Sequence, residues 1–131
     1  MVTPDDAIDR LSRALVERPR APELHTQIGI AYCNLDRFEA ALPHYERAAE
    51  LAPDDAAAHN NLGTVLKELG RPAQAVPHLE RAIALRPDYP EALNNLGIVL
   101  AELGRYAEAA QRSRAALRLK PGYAKAIRNL Q

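Results

Sequence analysis

A single cysteine, Cys33, stands among 131 residues, so no internal disulfide can form, and no Cys–His cluster beside it offers a metal to share. A reducing compartment is the expectation. Charge of one sign is missing as well: seventeen Lys and Arg balance seventeen Asp and Glu, which leaves no field to attract nucleic acid or an anionic membrane. No stretch approaches the ~18 apolar residues of a membrane span. The first residues, Met1 to Leu11, carry neither the apolar run nor the cleavage site of a secretory signal. The chain reads as soluble and cytoplasmic, without membrane insertion. Chemistry-bearing constellations are lacking too. Neither Ser12 nor Ser113 sits in a nucleophile turn. The paired acids Asp5-Asp6 and Asp54-Asp55 fall at expected helix starts, where they cap and complement the dipole. Neither catalysis, nor a cofactor, nor a metal is expected.

What the chain does have is a repeat. Gly29, Gly63 and Gly97 are 34 residues apart, as are Ala7, Ala41, Ala75 and Ala109, then Ala14, Ala48, Ala82 and Ala116, then Pro19, Pro53, Pro87 and Pro121. A fixed period of this size means stacked units whose core runs as a ribbon through the stack. Every glycine except Gly122 belongs to the pattern, so no phosphate-cradling loop is left over.

Within a unit the first apolar set falls at i, i+3, i+4 and i+7: Ile28, Ala31, Tyr32 and Leu35, then Leu62, Val65, Leu66 and Leu69, then Leu96, Val99, Leu100 and Leu103. That is one face of a helix, helix A. A second set, Phe38, Ala41, Leu42, Tyr45, Ala48 and Ala49 in the first unit, predicts helix B. Gly70 and Gly104 suit the left-handed residue that ends helix A, and Asp36 replaces them less comfortably in the first unit. The fold class is therefore all-α, a solenoid of antiparallel helix hairpins with about seven helices and a short C-terminal stub. Gly29, Gly63 and Gly97 fall in mid-helix at a cost of about 1 kcal/mol each. Close approach of helix B, through Ala41, Ala75 and Ala109, is the expected reason. Pro43 and Pro77 fall in the second turn of helix B, where each should delete one backbone bond. Ser113 takes a core slot filled elsewhere by Leu11, Tyr45 and Leu79, which predicts looser packing in 90–123 than in 56–89.

Gly in helix A, Ala twelve and nineteen positions later and Pro five beyond that, in a 34-residue unit, resembles the tetratricopeptide repeat (TPR). The resemblance covers almost the whole chain as one domain, 1–131. It gives full repeats at 22–55, 56–89 and 90–123, a capping helix B half-repeat at 1–21, and the opening of a further helix A at 124–131. Thr3-Pro4-Asp5-Asp6 makes a good helix start, and Glu17 replaces the Leu51, Leu85 and Leu119 of the other units. Both suggest a built N-terminal cap, while the apolar face of Ala126, Ile127 and Leu130 stops after two turns.

Four histidines come as copies, His25 with His59 on helix A and His44 with His78 on helix B. Copies one repeat apart should stand about 8–10 Å from each other, too far to share a metal, so they read as duplicated packing residues. Cys33 has nothing beside it to lower its pKa and reads as a structural thiol.

The resemblance implies a right-handed superhelix with helix A on its inner wall and a protein or peptide partner in the groove. The concave residues are then Gln27, Asn60, Asn61, Thr64, Asn94, Asn95, Lys125 and Asn129, within a wall that also carries Glu23, Thr26, Ile30, Cys33, Ala57, Lys67, Glu91, Ile98, Ala101 and Arg128. Asn-Leu-Gly recurs at Asn61 and Asn95, and Asn129-Leu130 starts another copy. An amide offers both donor and acceptor to a peptide unit. The pattern is similar to the asparagine ladder of O-linked N-acetylglucosamine transferase superhelices and to bacterial TPR proteins, and two readings follow: Asn61, Asn95 and Asn129 grip a partner backbone, or they are repeat consensus copied by duplication. The family's dicarboxylate clamp for chaperone tails is not matched: its places fall on Thr26, Ile30, Asn61, Glu91 and Asn95, or one repeat on at Asn60, Thr64, Asn95, Lys125 and Asn129. Three readings stand: a non-catalytic interaction scaffold, the peptide-recognition arm of a larger, glycosyltransferase-like enzyme, and a homo-oligomer assembled through exposed solenoid ends.

Overall fold

The structure, a computed structural model, describes residues 3–131. Eight helices are seen among them and no strand: α1 (Pro4–Glu17), α2 (Pro22–Asn34), α3 (Phe38–Leu51), α4 (Ala56–Glu68), α5 (Pro72–Leu85), α6 (Pro90–Glu102), α7 (Tyr106–Leu119) and α8 (Ala124–Asn129). Each packs most heavily on its neighbours in sequence, giving three hairpins, α2–α3, α4–α5 and α6–α7, with α1 covering the first and α8 the last.

Local chemistry sets the boundaries. Thr3 and Asp6 form a reciprocal cap at α1: the Thr3 hydroxyl accepts from the Asp6 N–H and the Asp6 carboxylate accepts from the Thr3 N–H, both at 3.2 Å. Those bonds hold the Asp6 carboxyl below its ordinary range. Asp55 caps α4 by accepting from the Ala57 N–H at 3.0 Å. Prolines open α2 and α6. Inside each hairpin the turn passes through the left-handed region, at Asp36 (φ 57°), Gly70 (φ 72°) and Gly104 (φ 79°). Asp36 thus takes up the conformation at the cost expected of a side chain.

Packing answers the question posed by the mid-helix glycines, with a correction to their partners. A Cβ on Gly29 would lie 2.7 Å from the Tyr45 ring, and one on Gly63 would lie 2.6 Å from Cγ of Leu79. The side chains that need the space are thus Tyr45 and Leu79, one turn beyond the alanines expected from sequence. Ala41 and Ala75 remain fully buried beside them. At Gly97 the counterpart is Ser113, its Oγ 2.8 Å away, and here the Ala109 carbonyl also comes within 3.1 Å. Where the core residue shrinks to serine, the α7 backbone stands nearer Gly97 than the α5 backbone stands to Gly63.

α3 and α5 run unbroken through Pro43 and Pro77. Both prolines are exposed, as are Glu39 and Ala73, whose carbonyls lose an N–H partner to them. A ribbon of apolar side chains, including Leu62, Val65, Leu79, Leu96 and Val99, runs from α3 to α7 and joins the hairpins. No helix among the described residues is long and apolar enough to cross a membrane.

Candidate functional site

The inner wall is built by α2, α4, α6 and α8, and it divides into two kinds of junction. Between the second and third hairpins the amides are spent on each other. Nδ2 of Asn95 donates to Oδ1 of Asn60 and to Oγ1 of Thr64, both at 3.1 Å, while the Thr64 hydroxyl donates to the Asn60 carbonyl at 2.7 Å. Nδ2 of Asn129 likewise donates to Oδ1 of Asn94 at 2.6 Å. Asn60 is 8% exposed and Asn94 only 1%. Burial raises the pKa of the Tyr89 and Tyr123 phenols, opposed at Tyr89 first by the Arg86 guanidinium 4.1 Å over its ring, while Asn60 and Asn94 lower the two in lesser measure. Asn60 and Asn94 therefore do not line the groove as expected. A buried amide must find partners, and a neighbouring helix supplies them.

Between the first and second hairpins that seal is missing. The place matching Asn60 and Asn94 is held by Thr26, whose side chain is too short to reach across. Asn61 makes no such cross-hairpin bond and stays half-buried on the groove side. α4 packs against α6, and α6 against α8, a contact that α2 and α4 make less. Two hollows result. One of about 280 Å³ is lined by Pro22, Thr26, Gln27 and Ala58 among others. The other, of about 290 Å³, is walled by Phe38, Tyr45 and Val65, with Cys33, Asn61, Thr64 and Glu68 around it. Ile30, nearby on α2, is 44% exposed.

Of the sequence-predicted residues, then, Asn61 and Thr64 meet at one hollow, Gln27 lines the other, and Asn95 and Asn129 are engaged between helices. Lys125 is exposed on α8, away from either hollow. Burial pushes the Cys33 thiol up, Tyr45's hydrogen bond partly offsets that, and Glu68 adds to it. Such a sulfur is a poor nucleophile. Tyr45 is raised too, by burial first and then by Cys33.

The histidines meet in a way the 34-residue register concealed. They pair across each hairpin rather than along the stack. Nδ1 of His25 lies 3.3 Å from Nδ1 of His44, and Nε2 of His25 lies 3.2 Å from the Pro19 carbonyl. In the second hairpin His59 stacks on His78 with ring centroids 6.2 Å apart, and its Nε2 lies 2.8 Å from the Pro53 carbonyl. No group of three or more metal-ligating side chains occurs among the described residues.

Comparison with known proteins agrees with this architecture. Tetratricopeptide repeat profiles match residues 20–88 and 60–124. Among solved structures, the chain is similar to MamA (25% identity over 97% of this chain and 74% of that one, TM-score 0.92). It is also similar to YrrB, described as a TPR protein with an unusual peptide-binding site (28% identity, 97% and 66%, TM-score 0.84). The TPR domain of Arabidopsis OM64 follows at 27% identity, 83% and 90%, TM-score 0.81. No curated protein sequence matches. With a profile spanning more than half its length and the repeat geometry on every hairpin, the chain belongs to the tetratricopeptide repeat family.

Proposed function

We propose that this protein is a non-catalytic scaffold that binds an extended peptide segment of a partner protein in its concave groove, gripped at the junction of the first two hairpins. The observation that carries this reading is Asn61. It offers an amide free of cross-hairpin bonds beside an apolar hollow of about 290 Å³, large enough for one sizeable side chain. Asn61 then holds the peptide backbone, and Phe38, Tyr45 and Val65 receive an apolar side chain next to it. The exposed Ile30 extends the apolar strip toward the second hollow, at Gln27. YrrB's peptide-binding site, on a similar backbone, lends support to the general mode.

The test selects binders from a displayed random-peptide library on the full chain, then measures their affinity by fluorescence anisotropy. Asn61→Ala and a hollow-filling Cys33→Phe should each weaken binding about tenfold, the loss of one good contact. Asn129→Ala should leave it within twofold. Equal affinity across all three variants would sink the proposal.

A further inference from the structure

The paired histidines carry an inference of their own. A carbonyl oxygen only accepts, so Nε2 of His25 must carry a proton to meet Pro19, and in the neutral ring Nδ1 is then bare. The proton between the two Nδ1 atoms belongs to His44. The result is a one-way chain, His44 to His25 to the Pro19 carbonyl, that ties α3 to α2 and α2 to the loop from α1. His44 can take up one proton at Nε2 and keep the chain. A second proton, on Nδ1 of His25, sets N–H against N–H at 3.3 Å and breaks it.

The second hairpin repeats the arrangement with less tolerance. Nε2 of His59 is committed to Pro53 in the same way, and its Nδ1 is a buried atom with no hydrogen-bond partner. A proton added there has no acceptor, and its charge lies against the stacked ring of His78. Few other groups compensate. Tyr32 stacks on His44 with ring centroids 5.9 Å apart. Glu46 of α3 is the acid that faces His78 and works the other way. None of the four histidines forms an ion pair among the described residues. The third hairpin carries Leu93 and Arg112 at the same two places, so it holds no such pair.

We propose that the two histidine pairs make the first and second hairpins an acid-sensitive half of the molecule, which loosens when the pairs are doubly protonated while the third hairpin stays intact. Burial lowers the native pKa of both His44 and His78, and the neighbouring His25 or His59 lowers it further. The unfolded chain therefore binds protons first as pH falls. The stability in question is complete above about 6.5, the ordinary histidine value, and is lost on the acid side. On the groove reading above, which this regulation would act on but does not need, peptide capture becomes a property of neutral pH.

Urea unfolding of the full chain between pH 5 and 8 tests this directly. The comparison variant, H25L/H44R/H59L/H78R, carries the third hairpin's residues at both pairs. From pH 7.5 to 5 the wild-type folding equilibrium constant should fall roughly tenfold or more, and the variant's by no more than about twofold. Equal slopes would overturn the proposal. Two measurements on the wild type stand even if the variant fails to fold. Ring titration by NMR should place the midpoints of His44 and His78 below 6.5, and a midpoint at or above that value for both would overturn it. Amide exchange, corrected for intrinsic rates, should rise at acid pH in 22–89 but not in 90–123; a uniform rise would overturn it as well.

Discussion

The two junctions along the inner wall are built from nearly the same sequence and behave differently. Between the second and third hairpins, Asn95 is received by Asn60 and Thr64, and the wall closes. Between the first and second, Thr26 stands where that acceptor should be, Asn61 is left without its counterpart, and hollows open on either side. Two exchanges at matching places, Thr26 for Asn60 and Ile30 for Thr64, decide which stretch of wall is cross-linked. Amide residues at equivalent repeat positions are therefore not equivalent in role.

The largest expected effect sets the hairpins themselves apart. Gly63→Ala would drive a methyl against the branched Cγ of Leu79, which is not a mobile chain end. Gly97→Ala meets a Ser113 hydroxyl that can rotate and a carbonyl that must give a few tenths of an ångström. Urea unfolding should show Gly63→Ala costing about 1–3 kcal/mol more, since both variants share the gain in helix propensity. Near-equal costs would mean that α5 shifts as freely as α7.

Next comes the junction contrast itself. Asn60→Ala removes a buried acceptor and strands part of the Asn95 amide, at a cost of about 1–3 kcal/mol. Asn61→Ala, one residue away, should change stability by no more than about 0.5 kcal/mol. A loss at Asn61 matching that at Asn60 would show that the first junction is sealed after all. Smaller still is the difference between the second and third cores. Ser113 replaces the bulk of Leu79 with a hydroxyl, so at neutral pH amides in 90–123 should exchange several-fold faster than those in 56–89. The reverse order would mean that the nearer α7 backbone makes good the lost side chain. Last, Asp36→Gly should relieve the left-handed strain in the first hairpin and, after the entropy glycine adds to the unfolded chain, raise stability by about 0.5–1 kcal/mol, bringing its turn level with those at Gly70 and Gly104.

Much of the fold was legible because a repeat states every boundary several times. The starts at Pro22, Ala56 and Pro90 and the turns at Asp36, Gly70 and Gly104 follow from caps and left-handed residues that need no tertiary context. The site was less legible for a geometric reason. Reading residues 34 apart as equivalents invites the assumption that they also face each other. The inner-wall amides instead bond 35 apart, Asn60 to Asn95 and Asn94 to Asn129, because adjacent A helices are staggered. The sequence reading set Asn60 and Asn94 on the groove with the rest of the helix A inner face, and the bonds to the next A helix bury them instead. The histidine pairs are 19 apart, across a hairpin, a separation that neither helical periodicity nor the repeat makes visible. Likewise the glycines face Tyr45, Leu79 and Ser113 because helix B crosses one turn later than the conserved-looking spacing of small residues suggests.

The missing counterpart of Asn61 has a mechanical side. In a linear array, stiffness is set joint by joint, and a series of springs stretches most at its softest member. Here two successive joints, α4 to α6 and α6 to α8, carry side-chain cross-links, whereas α2 to α4 has none. Bending strain would gather at that single joint, so the superhelix can change its curvature there while the remainder turns as one rigid arm.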